Sequence, residues 1–172
     1  MIQLLTQNIT RFFLLILLQI FIMNDINLGV FFNIYVYVLF IILFPVDIPG
    51  WILLPLCFIT GLIIDTSLNT AGLHASACTF TGFLRPVLLR ILKPREGYEL
   101  NLTPGLFNMG WKWFVSYVSL VLFIHHVWLF TLETFRFSDV FFILIKVIAG
   151  LILNLFLILL IQLLTSSYNR NR

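Results

Sequence analysis

The sequence predicts an all-α polytopic membrane protein: a bundle of six transmembrane helices making one integral membrane domain over residues 1–172. Three observations lead there. First, 61% of the residues are hydrophobic and only 10% are charged, with a mean hydropathy of +1.08. A soluble domain carries roughly 25% charged residues, so a chain this apolar cannot cover itself with polar surface. Second, the apolar runs are long and continuous rather than alternating with period two. In a bilayer every backbone polar group must be satisfied inside a helix or a closed barrel, and continuous runs select helices. Third, the runs use the whole chain and leave no linker, soluble domain or internal repeat.

The first span, 9–24, opens with Arg11 and an apolar core, as a signal peptide does. No small-x-small cleavage site follows, only Asn24-Asp25-Ile26-Asn27, so a retained helix is expected. Its apolar part, 12–23, is short against the roughly 20 residues a span needs, so Arg11 must snorkel or the helix must begin upstream of it. The second span, 28–44, is aromatic and β-branched but too long for a strand. Pro45-Val46-Asp47-Ile48-Pro49-Gly50 then makes a tight turn. The third span, 51–64, starts with Trp51 at interface level, carries Pro55 as an expected kink and Gly61 on a thin face, and ends at Asp65.

After a polar turn, Asn69 or Thr70 offers an oxygen to the free N–H groups of the fourth span, 71–92. Within it Gly72, Ala75, Ser76, Thr79 and Gly82 recur at three- and four-residue spacing, followed by Pro86. Such a stripe of small residues lets helix backbones approach closely in lipid. His74, Cys78, Thr81 and Arg85 form a polar stripe beside it. Arg85 either snorkels to the headgroups or faces a neighbouring helix or a partner. The segment 93–110 is broken by Pro94, Gly97, Pro104 and Gly105, and Trp111-Lys112-Trp113 marks the next interface. The fifth span, 112–130, contains His125-His126. A turn with Glu133, Arg136 and Asp139 leads to the sixth, 140–164, where Lys146, Gly150 and Asn154 share one face, and a basic tail follows.

Six crossings put both termini on one side. Arg11, Arg90, Lys93, Arg95, Lys112, Arg170 and Arg172 gather on that side. The other has Arg136 among Asp25, Asp65, Glu133 and Asp139. The positive-inside rule makes the first side cytoplasmic, with the N- and C-termini there. The net charge of +3 is too small to point to nucleic acid. Cys57 and Cys78 lack CxxC spacing and read as buried thiols, neither a disulfide framework nor a zinc site.

Topology gathers Asp65, His74, His125, His126 and Lys146 in the outer half of the bundle. An ionisable group inside a membrane is costly and usually has a partner. The natural one for Lys146 is Asp65, with Glu133 as the alternative. The cluster is then a structural ion pair with capped helix ends, a pocket for a small ligand or ion, or a metal or catalytic site. Consecutive histidines point about 100° apart on a helix, so His125 and His126 do not easily face one ion. No HExxH, GxSxG or GxxxxGKT motif occurs, so no catalytic residue, cofactor or metal is expected.

The stretch GLIIDTSLNTAGLHASACTFTGFLRPVLLRIL resembles the MreD family of rod shape-determining proteins, most of all its Bacteroidota branch. The matching pieces are Gly61 and Asp65, then Asn69 and Gly72 in the turn leading to His74, and Arg85-Pro86 followed by Leu88 and Leu89. Leu17-Leu18-Gln19 and the Pro104-Gly105 loop also fit. The resemblance covers nearly the whole chain, but only this stretch is specific. It implies a non-enzymatic scaffold in the bacterial inner membrane that helps couple cytoplasmic MreB filaments, indirectly, to peptidoglycan synthesis and cell shape. The partners it implies are MreC, RodA and its class B penicillin-binding transpeptidase, within membrane lipid. That family is also similar to the six-span substrate-binding subunits of energy-coupling-factor vitamin transporters, which implies the alternative of a small-molecule transporter subunit.

Overall fold

The computed structural model describes residues 2–26, 29, 31–134 and 140–170; Leu28, Arg136, Asp139 and Arg172 lie outside them. Among the described residues the chain is helical, with no strand. Helix α1 (Ile2–Leu18) runs into a π-helical turn (Gln19–Met23). A short α2 (Val38–Ile42) follows, then α3 (Gly50–Leu68), α4 (Leu73–Ile91), a one-turn α5 (Leu106–Met109), α6 (Trp111–Thr134) and α7 (Val140–Arg170). Among the described residues four stretches are helical, long and apolar enough to cross a membrane: Thr6–Met23, Gly50–Leu68, Trp111–Thr134 and Val140–Thr165. Helix α4 is as long as α3 but less apolar, because it carries the polar stripe and lies against both α3 and α6.

The stretch expected as a second spanning helix, 28–44, takes another form. Among its described residues only Val38–Ile42 is helical. Yet every residue from Ile34 to Phe44 is buried, none more than 9% exposed. The stretch runs down the middle of the bundle, with α1, α4 and α6 packed against α2. An apolar run of this length reads as a spanning helix because lipid leaves its backbone no other partner. Here the protein supplies partners, and the helix is not needed.

Turns and glycines set the helix pairing. Asn69 closes α3 in the left-handed conformation (φ 55°, ψ 40°), which a short polar side chain tolerates. Gly72 (φ 84°) opens α4 in the same region. A Cβ on Gly61 would collide with the Cα of Ala75 and the carbonyl of His74, so α3 and α4 touch backbone to backbone. Lower down, a Cβ on Gly82 would lie 2.6 Å from Cys57 Sγ, and one on Gly150 of α7 would lie 2.8 Å from His126 Cδ2 on α6.

The small-residue stripe of α4 is thus taken up inside the bundle at Ala75 and Gly82. Gly72 does not pack: a Cβ there meets open space, and its positive φ is what requires glycine. Ser76 and Thr79 bond back to carbonyls of their own helix, Leu73 and Ala75. Both Pro55 and Pro86 sit inside helices that continue through them. At the far end from Asn69, Trp113 donates Nε1 to Leu92 O (2.7 Å), Tyr98 donates to Leu89 O (2.7 Å) and Val46 N to Leu102 O (2.9 Å). These bonds bring Arg90, Lys93 and Lys112 to the end of the bundle where Arg11 meets Leu43 O.

Candidate functional site

The central segment decides where the polar side chains go. A buried backbone group left unpaired costs about 1–3 kcal/mol. Non-helical backbone survives at membrane depth only where protein or a water-filled cavity satisfies it. Two carboxamides do this for residues 33–36. From one side Gln19, at the start of the π-helical turn, donates Nε2 to Ile34 O (2.8 Å) and accepts from Val36 N at Oε1 (2.8 Å). From the other, Asn154 of α7 donates Nδ2 to Asn33 O (2.8 Å) and accepts from Tyr35 N at Oδ1 (2.6 Å). Odd-numbered backbone groups turn to Asn154 and even-numbered ones to Gln19, which is the alternation of an extended chain. Each amide stands where a neighbouring strand would.

Beyond α2 an arginine takes over. Arg85 donates Nη2 to Phe44 O, Nη1 to Pro45 O (3.2 Å) and Nε to the Tyr117 hydroxyl (2.8 Å), which itself donates to Ile42 O (3.3 Å). At 1% exposure Arg85 does not snorkel. It faces the central segment, because a planar fork of five N–H donors can answer several carbonyls at once. Among the described residues no carboxylate lies within ion-pair distance of it.

Between these clamps Tyr37 joins two histidines: its hydroxyl is 2.8 Å from His74 Nδ1 and 3.1 Å from His125 Nε2. One hydroxyl proton serves one of the two contacts, so the other histidine is the donor. His125 Nδ1 has no partner among the described residues. An orphaned N–H is rarer in buried sites than an under-satisfied acceptor. The arrangement that follows has His125 Nε2–H donating to Tyr37, and Tyr37 donating to His74. His126 turns elsewhere: Nδ1–H donates to Leu122 O (2.6 Å) and Nε2 faces Asn154 Nδ2 (3.2 Å). All three histidines are buried. Among the described residues no three of His, Cys, Asp and Glu are gathered as metal ligands would be.

The outer ion pair differs from the expectation. Asp65 and Lys146 are not partners. Asp65 Oδ1 accepts from the Thr70 hydroxyl (2.5 Å) and His74 N (3.0 Å), and Oδ2 accepts from Ala75 N (2.8 Å). Its carboxylate therefore caps the first turn of α4 from the end of α3, where free N–H groups and the positive end of the helix dipole favour an anion. Asn69 and Thr70 do not supply that cap: Asn69 ends α3, and the Thr70 hydroxyl donates to Asp65. With both Asp65 oxygens engaged, Lys146 pairs with Glu133, its Nζ 3.2 and 3.1 Å from the two carboxylate oxygens, and lies over the Phe130 ring.

The pairing is expected to show in the stability of detergent-solubilised protein. Lys146→Met and Glu133→Gln are expected to couple by about 0.5–1 kcal/mol in a double-mutant cycle, modest because Glu133 is 42% exposed. Lys146→Met and Asp65→Asn are expected to add within about 0.5 kcal/mol. Coupling of Lys146 to Asp65 instead would reject this arrangement.

Of the residues singled out in the sequence, His74, His125, Arg85 and Asn154 come together around one feature, a central segment held by side chains, while Asp65 caps α4 and Lys146 pairs with Glu133 away from it. Gln19, Tyr37 and Tyr117 belong to it as well and were not foreseen as site residues. A signal for it was present: Asn33, Tyr35 and Tyr37 alternate with Ile34, Val36 and Val38, the period of a strand inside a run of span length. Compared with protein-family models, with curated proteins and with solved structures, the chain matches none.

Proposed function

We propose that the chain is a non-enzymatic membrane scaffold of a cell-elongation complex, a member of the MreD family. It would sit in the inner membrane with both termini cytoplasmic, bind the transmembrane segment of an MreC-like protein, and help couple MreB filaments to the RodA–transpeptidase pair. One observation carries the scaffold part. The intramembrane polar groups of Gln19, Asp65, Arg85 and Asn154 turn onto this chain's own backbone, which fixes a shape and leaves little for substrate chemistry. The resemblance supplies the identity of the partner, and the cations Arg11, Arg90, Lys93 and Lys112 at one end supply the orientation.

The stripe on α4 is occupied by α3 at Ala75 and Gly82, so the docking face in this reading lies on α7. An apolar groove of about 610 Å³ runs between Phe32 and the α7 residues Ile145, Ile148, Ala149, Ile152 and Phe156. Their three- and four-residue spacing presents a face about 16 Å long at 1.5 Å per residue, the kind of ridge an apolar helix packs against in lipid. The test is co-purification from membranes with the MreC-like protein. Ala149→Trp, which fills the groove, is expected to reduce it at least about tenfold, the factor that 1.4 kcal/mol of lost packing represents. Undiminished capture by a folded variant would move the docking face elsewhere. Failure of the wild type to capture the MreC-like protein would end the scaffold reading.

A second reading has its own observation. Spans broken at mid-membrane bind substrates and ions in transporters, and this broken crossing passes three buried histidines. Capture of a vitamin-sized ligand together with a cytoplasmic ATPase module, and no MreC-like protein, would establish a transporter subunit instead.

A further inference from the structure

At the basic end of the bundle a polar cleft of about 350 Å³ opens between α1, α7 and the segment leading through α5, with Gln7, Arg11, Thr103, Asn108, Gln162 and Thr165 on its walls. Arg11 is half-buried there. Its Nη1 donates to Leu43 O (3.2 Å) and Asn8 Oδ1 (3.3 Å). Among the described residues no carboxylate reaches it. The acids at this end, Asp47, Glu96 and Glu99, do not line the cleft, and Asp47 instead accepts from Asn101 N (3.2 Å). Gln162 accepts at Oε1 from Leu106 N (3.5 Å), which leaves its Nε2 as a donor for the cleft.

The contrast with Arg85 is instructive. Arg85 is sealed at 1% exposure with each nitrogen on protein. Arg11 has bonds from one nitrogen only and stands beside open, polar volume. It lies in the span that begins at Thr6, about 7.5 Å along the helix from it at 1.5 Å per residue. A cation at that depth without a counter-charge is costly, and a guanidinium fork with N–H groups to offer matches the oxygens of a phosphate.

We propose that this cleft binds a phosphate-bearing anion, with Arg11 as its anchor and the side-chain amides of Gln162 and Gln7 as supporting donors, while Asn108 Nδ2 donates to Thr103 O (2.9 Å) on the cleft wall. The phosphate belongs either to a phospholipid headgroup or to free phosphate in solution. This inference does not depend on the scaffold reading and outlives it.

The full-length protein in neutral detergent is titrated with phosphatidylglycerol, with diacylglycerol of the same chains, and with inorganic phosphate. Bound lipid is counted by native mass spectrometry, and protection is read by thermal unfolding. Phosphatidylglycerol is expected to bind at least about tenfold more tightly than diacylglycerol, the scale of a hydrogen bond to a charged group. Competition by inorganic phosphate at equal charge would assign free phosphate; retention of the lipid against it would assign the headgroup.

Two variants test the anchor. Arg11→Gln removes the charge and is expected to erase the preference. Gln7→Glu keeps Arg11 and places a carboxylate one turn ahead of it, a pairing that favours the helix. It is expected to erase the preference while leaving the unfolding temperature without lipid unchanged or higher. If Arg11→Gln does not fold, Gln7→Glu decides alone. Equal binding of the two lipids by the wild type together with no protection by inorganic phosphate, or an undiminished preference in folded Gln7→Glu, overturns the proposal.

Discussion

Arg85→Met is expected to destabilise the protein by at least about 3 kcal/mol in detergent, read as a large fall in unfolding temperature. The change keeps the volume of the side chain's stem and removes its donors. It leaves Phe44 O without a partner at the exit of the central segment, leaves Pro45 O only the long bond from Ile48 N (3.5 Å), and takes from the Tyr117 hydroxyl the donor it accepts from. Each stranded buried carbonyl costs about 1–3 kcal/mol. Arg85→Lys is expected to recover only part of the loss. An ammonium keeps the charge, but it is a point donor on a flexible stem, not a fork that spans two carbonyls and a hydroxyl. A wild-type unfolding temperature for Arg85→Met would take the guanidinium out of this role.

Gly61→Ala is the second expected large effect, a loss of about 1–3 kcal/mol from a single methyl group. The added Cβ meets the Ala75 Cα and the His74 carbonyl, which are backbone and cannot rotate away. Helices α3 and α4 must separate, and the Asp65 cap on His74 N and Ala75 N separates with them. Gly50→Ala is the control, since a Cβ there meets nothing within 4 Å and Gly50 lies at the start of the same helix. If both variants unfold together with the wild type, close backbone contact is not what joins α3 to α4.

The long apolar helices were legible in the sequence because lipid imposes one solution on a continuous apolar run. The turn between α3 and α4 was visible, but its ends were not: Asn69 read as a cap for α4 and Gly72 as a packing residue, whereas both hold a left-handed backbone, Asn69 closing α3 four residues beyond the expected end. The polar residues inside the spans were visible, but their partners were not. Charge complementarity is a rule about side chains, and it pointed Lys146 at Asp65. Asp65, Arg85, Gln19 and Asn154 each bond at least two backbone groups beside their side-chain contacts, and backbone groups are carried by every residue and displayed by no letter of the sequence. The central segment escaped for the same reason. Its length reads as a helix, and its extended form depends on amides contributed by the π-helical turn after α1 and by α7, the latter far away in the chain.

That dependence has a consequence for how the protein is made. Asn154 receives Tyr35 N across 119 residues of chain. At a synthesis rate of about 5–20 residues per second, Tyr35 leaves the ribosome on the order of ten seconds before its partner exists. During that interval Gln19 is the clamp already available to Ile34 O and Val36 N, while Asn33 O and Tyr35 N still await Asn154. The extended segment is therefore completed from two sides at two times, first by an amide close behind it in the chain and later by one from α7.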